Sequence, residues 1–455
     1  EHGRTVMLRG VNLGGSSKMP AKPNGASHIK ERFYEYKAVS FVGRPFPAPE
    51  ADEHFERLRH WGFNCLRFVI TWEAIEHAGP GQYDLIYLDY LKKMVAKAGE
   101  YGFYVFIDPH QDVWSRWTGG DGAPAWTLEA AGFDLTKLHA AGAAFVHQEH
   151  GDTFPTMRWV TNYNKLATAT MFTLFFGGND FAPNTTVDGV PIQEFLQSHY
   201  INAIKKVAEQ VKDMPHVMGY DSLNEPSAGW IGKADLHDNS ALFNGGQSPT
   251  PFQSMVLGAG IPQEVPFTEL GPTGLRTLYT EIANPNGVQV WREGHVGVWL
   301  ENDVWMLNAE GEPYLRRLKH FSEVNGRPVN FSNDYFRPFI ERFAREIRTV
   351  HPEAIIFIEE ALGTEMPPIE LENVVNAGHW YDVITLFMRR YISFVGVDVQ
   401  KMGPVFGQTA VENSFAAQLA HIKQTGHDKL NAPTLLGEFG IAYDLDDRVG
   451  FTTGG

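Results

Sequence analysis

The chain has 455 residues, with 38 Lys+Arg against 54 Asp+Glu, giving a formal net charge of −16. A hydrophobic share of 43% with 13% aromatics excludes disorder, and the acidic balance excludes the basic surface that nucleic-acid phosphates require. The single cysteine, Cys65, excludes a disulfide framework and any multi-cysteine zinc site.

In chain order, short apolar runs alternate with amphipathic stretches. Val6–Leu13, Asn64–Trp72 and Tyr104–Asp108 read as the first three strands. Met218–Leu223, Ala354–Glu359, Asn373–His379 and Thr434–Glu438 continue the series. Such β-branched and aromatic runs bounded by turn residues are the pattern of buried parallel strands. Between them, apolar residues recur every three or four positions, which puts each set on one helical stripe. The stripes are Leu88, Leu91, Val95 and Ala98; then Phe195, Leu196, Tyr200, Ile204, Val207 and Val211; then Phe336, Ile340, Phe343 and Ile347 ahead of Pro352. Phe415, Leu419 and Ile422 ahead of Gly426 form the last. This alternation predicts a (β/α)₈ barrel. A doubly wound sheet is the alternative, but Gly14-Gly15 after the first strand opens no helix and gives no phosphate-binding turn.

Two connections exceed what a minimal barrel needs: residues 113–191 after the third strand and 227–332 after the fourth. Both leave the C-terminal ends of strands, where barrel enzymes build their sites. Their aromatics include Trp114, Trp117, Trp126, Phe172, Phe175 and Phe176 in the first insert, and Trp230, Trp291, Trp299 and Trp305 in the second. Most of these are expected to form small cores of the inserts, with a few left to line the mouth.

The chemistry is concentrated at strand ends. Asn224-Glu225-Pro226 closes the fourth strand and Gly437-Glu438-Phe439 the seventh, so two carboxylates can face each other across the barrel axis. Paired carboxylates are the equipment of glycoside hydrolysis, one protonating the leaving oxygen while the other stays ionised. Asp108, Glu359 and Glu360 lie near strand ends as alternative acids, with Asp108 read as supporting His110 across Pro109. Arg67 could instead pair with Asp108 or Glu73 inside the barrel, and His379 and Tyr381 could be packing residues. His110 and Asp112 beside Glu225 raise a metal reading, but no HExxH or HxH spacing accompanies them, and neither a metal nor a cofactor is expected. Arg389-Arg390 reads as a solvated charge pair, and Cys65 as a small buried hydrophobe.

These residues together resemble glycoside hydrolase family 5. Arg67 in Leu-Arg-Phe, His110 in Asp-Pro-His-Gln-Asp, Asn224-Glu225-Pro226, His379-Trp380-Tyr381 and Glu438 fall in the family's order on the expected strands. The resemblance implies a retaining β-glycosidase with Glu225 as acid/base and Glu438 as nucleophile. It further implies that Arg67 and Tyr381 orient Glu438, that Asn224 holds the sugar 2-hydroxyl, and that His110 and His379 line the sugar site. The segments Arg9–Lys18, Asp108–Ser115, Gly151–Trp159 and Thr173–Pro183 are similar to the fungal branch of endoglycoceramidase-related β-glucosidases. That likeness implies a β-glucoside with a lipid aglycone, glucosylceramide or steryl glucoside, and transient membrane contact. It also favours a cytoplasmic or vacuolar site, with secretion left open.

The rival readings are an endo-acting glycoceramidase or β-glucanase on the same fold, and a non-catalytic carbohydrate- or lipid-binding barrel. The last would be expected to lack one carboxylate, and both are present. No run of about 20 apolar residues spans a membrane. The Asn184-Thr-Thr and Asn330-Phe-Ser acceptors are too frequent by chance to decide a compartment. Only 17 residues follow Glu438, too few for a seventh helix and an eighth strand with its helix. The family's strand-eight aromatic has no counterpart in them. The expectation is therefore one catalytic barrel over residues 1–455, incomplete at its C-terminal side, with both inserts on the active-site rim.

Overall fold

A computed structural model describes residues 6–241, 243–271, 274–399 and 403–453. Six parallel strands form the central sheet: β1 (Gly10–Leu13), β2 (Cys65–Thr71), β3 (Tyr104–His110), β4 (Val217–Asp221), β5 (Ile355–Ile358) and β6 (Val374–Asn376). They pair strictly in sequence order, β1-β2-β3-β4-β5-β6. A doubly wound sheet reverses its strand order at a switch point; this one never does, and its topology is that of a (β/α)₈ barrel.

The helices stand outside the strands: α1 (Ala51–His60), α2 (Leu85–Glu100), α3 (Ile192–Val211), α4 (Arg337–Arg348) and α5 (Gln408–Leu430). Their ends follow local chemistry. Asp84 caps α2 by accepting the amides of Ile86 and Tyr87, Pro338 occupies the first turn of α4, and Asn431 closes α5 in the left-handed region. Leu88, Leu91, Met94, Val95 and Ala98 of α2 are all buried, as their spacing requires.

Side-chain alternation on the strands separates two environments. Leu66, Phe68 and Ile70 of β2 pack outward into the main core under the helices. Cys65, Phe106, Phe357 and Ala377 form a separate cluster inside the barrel, where Phe106 and Phe357 stack with centroids 4.1 Å apart. Two residues further along each strand, on the same face, come Arg67, Asp108, Glu359 and His379. An apolar plug thus carries a charged layer directly above it.

Three of the expected strands are much shorter than their sequence patterns: the first, the sixth, which keeps only Val374–Asn376, and the seventh. The first begins only at Gly10, because the Asn64 side chain takes the Arg9 amide (2.8 Å) and the Met7 carbonyl (3.0 Å) in place of a ladder partner. The seventh, Thr434–Glu438, is reduced to one parallel bridge between Thr434 and Asn376. It still follows β6 through bonds from Leu435 N to Asn376 O (2.8 Å) and Gly437 N to Gly378 O (3.1 Å). Gly437 permits this approach, since a Cβ there would lie 2.6 Å from the Ala377 carbonyl and 3.0 Å from the His379 ring. Across the barrel, Asn12 of β1 donates to the Gly437 carbonyl at 3.1 Å.

The inserts carry their own cores. Helix Leu166–Phe181 is buried on nearly every side. Its Phe175 and Phe176 meet Phe339 of α4 edge-on at 5.1 and 5.4 Å. Trp114, Trp117, Trp126, Trp230, Trp291, Trp299 and Trp305 are buried too. The Arg389-Arg390 pair departs from its solvated reading: Arg389 pairs with Asp444, and Arg390 Nε lies 3.7 Å from Asp446. Cys65 is buried as a small apolar side chain, and burial pushes its thiol up to about 12. Among the described residues no helix is long and apolar enough to cross a membrane.

Candidate active site

Arg67, near the middle of β2, is the hub of the charged layer. One terminal nitrogen donates to Glu438 Oε1 (2.6 Å) and Asn12 Oδ1 (3.0 Å) and lies 3.1 Å from Asp108. The other donates to Glu359 Oε1 (2.6 Å) and Asn224 Oδ1 (2.8 Å), with Asp221 at 3.4 Å. The intrabarrel pairing with Asp108 and the contact to Glu438 therefore coexist. Glu73 turns elsewhere and pairs with Arg116 at 2.9 Å.

Glu438 takes a second hydrogen bond from the Tyr381 hydroxyl on Oε2, at 2.7 Å. Burial alone would raise its carboxyl; the charges of His379, Arg67 and His110 outweigh that and hold it at about 2. Trp380, between His379 and Tyr381, points the other way and packs on Phe415 of α5. His379 and Tyr381 thus share the mouth by simple alternation.

Glu225 follows β4 with φ +38°, a left-handed conformation rare for a side-chain-bearing residue. Gln111 clamps this turn by donating to the carbonyls of Asn224 (2.7 Å) and Glu225 (3.0 Å). Glu225 Oε1 lies 2.9 Å from His379 Nδ1. Its carboxyl is raised, first by burial and then by Glu438, with His379 opposing. Oxygens of Glu225 and Glu438 and a nitrogen of His379 all lie within 4.8 Å of one another.

His110 ends β3. Its Nδ1 sits 2.7 Å from Asp108, and its Nε2 lies 3.4 Å from both Asp112 and the Asn224 amide. Burial and Lys18 would lower it, yet Asp108 and Asp112 raise it to about 10. Asn224 is fully buried, and its amide also donates to the Gln111 carbonyl at 2.8 Å. All seven expected site residues, Arg67, His110, Asn224, Glu225, His379, Tyr381 and Glu438, therefore meet at one end of the barrel.

Several further residues complete the constellation. Lys18 places its Nζ 2.6 Å from Asp112 and 3.9 Å from Asp121, and Asp221, Glu359 and Gln111 buttress the centre. Asp112 could have been found from period two, since it shares the parity of Asp108 and His110; Asp121 had no such signal. Among the described residues three groups have the spacing of a cation site: His110, Asp112 and Asp121; Asp108, Asp221 and Glu359; Glu225, His379 and Glu438. A cation already serves each, Lys18 the first, Arg67 the second and the His379 ring the third.

A family model described as cellulase (glycosyl hydrolase family 5) matches residues 27–241. A glucosylceramidase of Rhizopus delemar is 38% identical, covering 99% of this chain and 69% of that protein. An ergosteryl-β-glucosidase of Saccharomyces cerevisiae is 31% identical over 99% of this chain and 67% of its own length. The crystal structure of Cryptococcus neoformans sterylglucosidase 1 superposes with a TM-score of 0.92 at 36% identity, covering 99% of this chain and 69% of that one. The chain thus spans about two thirds of the length of these relatives. With that family model over the region holding β2 to β4, and relatives aligned along nearly every residue, the chain belongs to glycoside hydrolase family 5.

Proposed function

We propose that this chain hydrolyses the β-glucosidic bond of a glucolipid, with retention of configuration by double displacement. The observation that carries the mechanism is the separation of Glu225 and Glu438, whose oxygens approach within 4.8 Å. Retaining glycosidases hold their carboxyl groups about 5–5.5 Å apart, whereas inverting ones leave room for a water between them.

In the first step Glu438 attacks the anomeric carbon while Glu225 gives its proton to the departing oxygen. The glycosidic bond breaks, and a glycosyl ester forms on Glu438. In the second, Glu225 takes a proton from water, whose oxygen displaces Glu438. The environments suit these roles: Arg67 and Tyr381 donate to Glu438 and favour its ionised form, and burial raises the Glu225 carboxyl. Asn224 and His110 are placed to bind the sugar, with Asn224 directed at the 2-hydroxyl.

The lipid part of the reading rests on relatives named glucosylceramidase and ergosteryl-β-glucosidase. It is supported by exposed apolar side chains just beyond Tyr381: Met388, Tyr391, Phe394 and Phe406. An aglycone laid against such side chains gains roughly 25 cal/mol per Å² of apolar surface buried. These side chains are our candidate for transient membrane contact, and both inserts are assigned to the active-site rim.

Glucose release from glucosylceramide, a steryl β-glucoside and cellobiose, measured in parallel, tests the substrate class. One or both lipids should be cleaved in preference to cellobiose, with the β-anomer of glucose appearing first. Release of the α-anomer would overturn the covalent step, and preference for cellobiose would overturn the lipid aglycone. A 2-deoxy-2-fluoro β-glucoside should label Glu438; labelling of Glu359 would move the nucleophile to β5.

A further inference from the structure

Glu359 has no part in the steps above, yet it touches the residues that hold both reacting carboxylates. It follows β5 on the inward face and is 2% exposed. Its Oε2 accepts the backbone N–H of Glu225 at 2.8 Å. Its Oε1 accepts from Arg67 at 2.6 Å and lies 3.0 Å from His379 Nε2, a close charge contact without the alignment of a hydrogen bond. From there Arg67 reaches Glu438 at 2.6 Å, and His379 Nδ1 reaches Glu225 at 2.9 Å and Glu438 at 3.7 Å.

Resting on the assignment of Glu225 and Glu438 above, we propose that Glu359 is a positioning residue: a third carboxylate that pins the backbone of Glu225 and holds the His379 ring between itself and the Glu225 carboxyl. The backbone part follows from conformation. A residue such as Glu225 at φ +38° costs on the order of 1–3 kcal/mol and persists only where its surroundings over-determine it. Glu359 holds the N–H of that residue, while Gln111 holds its carbonyl and the one before.

The charge part follows from what surrounds the site. Glu359 faces Arg67 from β2, Asp108 from β3, Asp221 from β4, His379 beyond β6, and Glu438 and Glu225 across the mouth. His110 and Tyr381 stand one contact further out. Burial would protonate Glu359, but His379 and Arg67 hold it well below the usual carboxylate range. Burial and the charge of Glu359 push the Asp221 carboxyl up. The Glu359 charge in turn raises His379, against burial, with Glu438 helping. With the Nε2 proton beside Glu359, Nδ1 is the nitrogen that serves Glu225. A charged ring there favours the Glu225 carboxylate and sets how far up the pH scale the acid keeps its proton.

Removing the Glu359 charge lets the His379 proton leave more easily, and Glu225 loses a neighbour that stabilises its ionised form. Glu225 then holds its proton to higher pH, and the basic limb of kcat/KM moves up. In Glu359→Gln, assayed on an alkyl β-glucoside whose aglycone needs the proton of Glu225 to depart, that limb should rise by roughly half a pH unit or more. The kcat should fall about 10- to 100-fold while KM changes little. Glu359→Asp keeps the charge and should keep the wild-type limb at reduced kcat.

A Glu359→Gln limb superimposed on the wild type would overturn the inference, whatever the loss in rate. So would the ¹⁵N spectrum of the unaltered protein, if His379 Nε2 were found bare at neutral pH, a test that needs no variant to fold. Glu438→Gln on the same substrate separates the two layers. If Glu438→Gln is active, the underlying assignment fails; if it is inactive and Glu359→Gln is unshifted, only the role of Glu359 fails.

Discussion

On one wall of the barrel mouth, beside β6, Glu438 accepts hydrogen bonds from Arg67 and Tyr381. On the opposite wall, after β4, Glu225 is as deeply set, but its carboxylate has one hydrogen-bond partner among the described residues, His379. The same amino acid is therefore driven in two directions, one carboxyl held at about 2 and the other raised above its ordinary value. The difference lies in the number of donors, since both groups are buried and both face the same histidine. A pair of acids becomes one base and one acid when more donors and cations are given to one side than to the other.

The most severe way to break this asymmetry is Glu438→Gln, which keeps shape and burial and removes the charge of the proposed nucleophile. Turnover should fall on the order of 10⁴-fold or more, with substrate affinity retained. Near-normal turnover in a purified variant would show that the β6 wall does not carry the nucleophile. Glu225→Gln should discriminate by leaving group. For a sterol or ceramide aglycone, kcat/KM should drop about 10²–10⁴-fold, the ordinary share of general acid catalysis. An aryl aglycone that departs without a proton should lose far less in kcat/KM. Equal losses on both would mean that Glu225 is not the acid.

Much of this arrangement could be read from the chain itself. Strand-end placement and period-two alternation suffice to bring Arg67, His110, Glu225, His379 and Glu438 to one end of a barrel. What was not legible follows from side chains acting on backbone. Nothing in Asn373–His379 or Thr434–Glu438 says that β6 stops at Asn376, or that the next segment keeps only a bridge; that depends on Gly437 approaching the His379 ring. Lys18 belongs to the site because the loop after β1 swings over Asp112, a contact 94 residues away in sequence. Asp221 was hidden, and Glu359 was legible only as an alternative acid, for another reason: carboxylates in one buried layer are intelligible only once Arg67 is seen at its centre. Their strand parity, shared with Asp108 and His379, was the signal that could have found them.

The finest test of the comparison removes one donor and leaves the rest. Tyr381→Phe deletes the hydroxyl on Glu438 Oε2 but leaves Arg67 on Oε1. A hydrogen bond to a charged group is worth about 1.5–3 kcal/mol, so the carboxylate should become easier to protonate by about one pH unit. Glu438 must be ionised to attack, and its folded-state carboxyl is depressed. Losing a donor raises it, so the acid limb of kcat/KM moves to higher pH. The basic limb belongs to Glu225 on the other wall, while the Tyr381 hydroxyl donates to Glu438, and should stay in place. The bell thus narrows from its acid side, with kcat down about 10-fold at its centre. If both limbs moved together, the two carboxyls would titrate as one strongly coupled unit, and the division of donors between the walls would not be what separates acid from nucleophile.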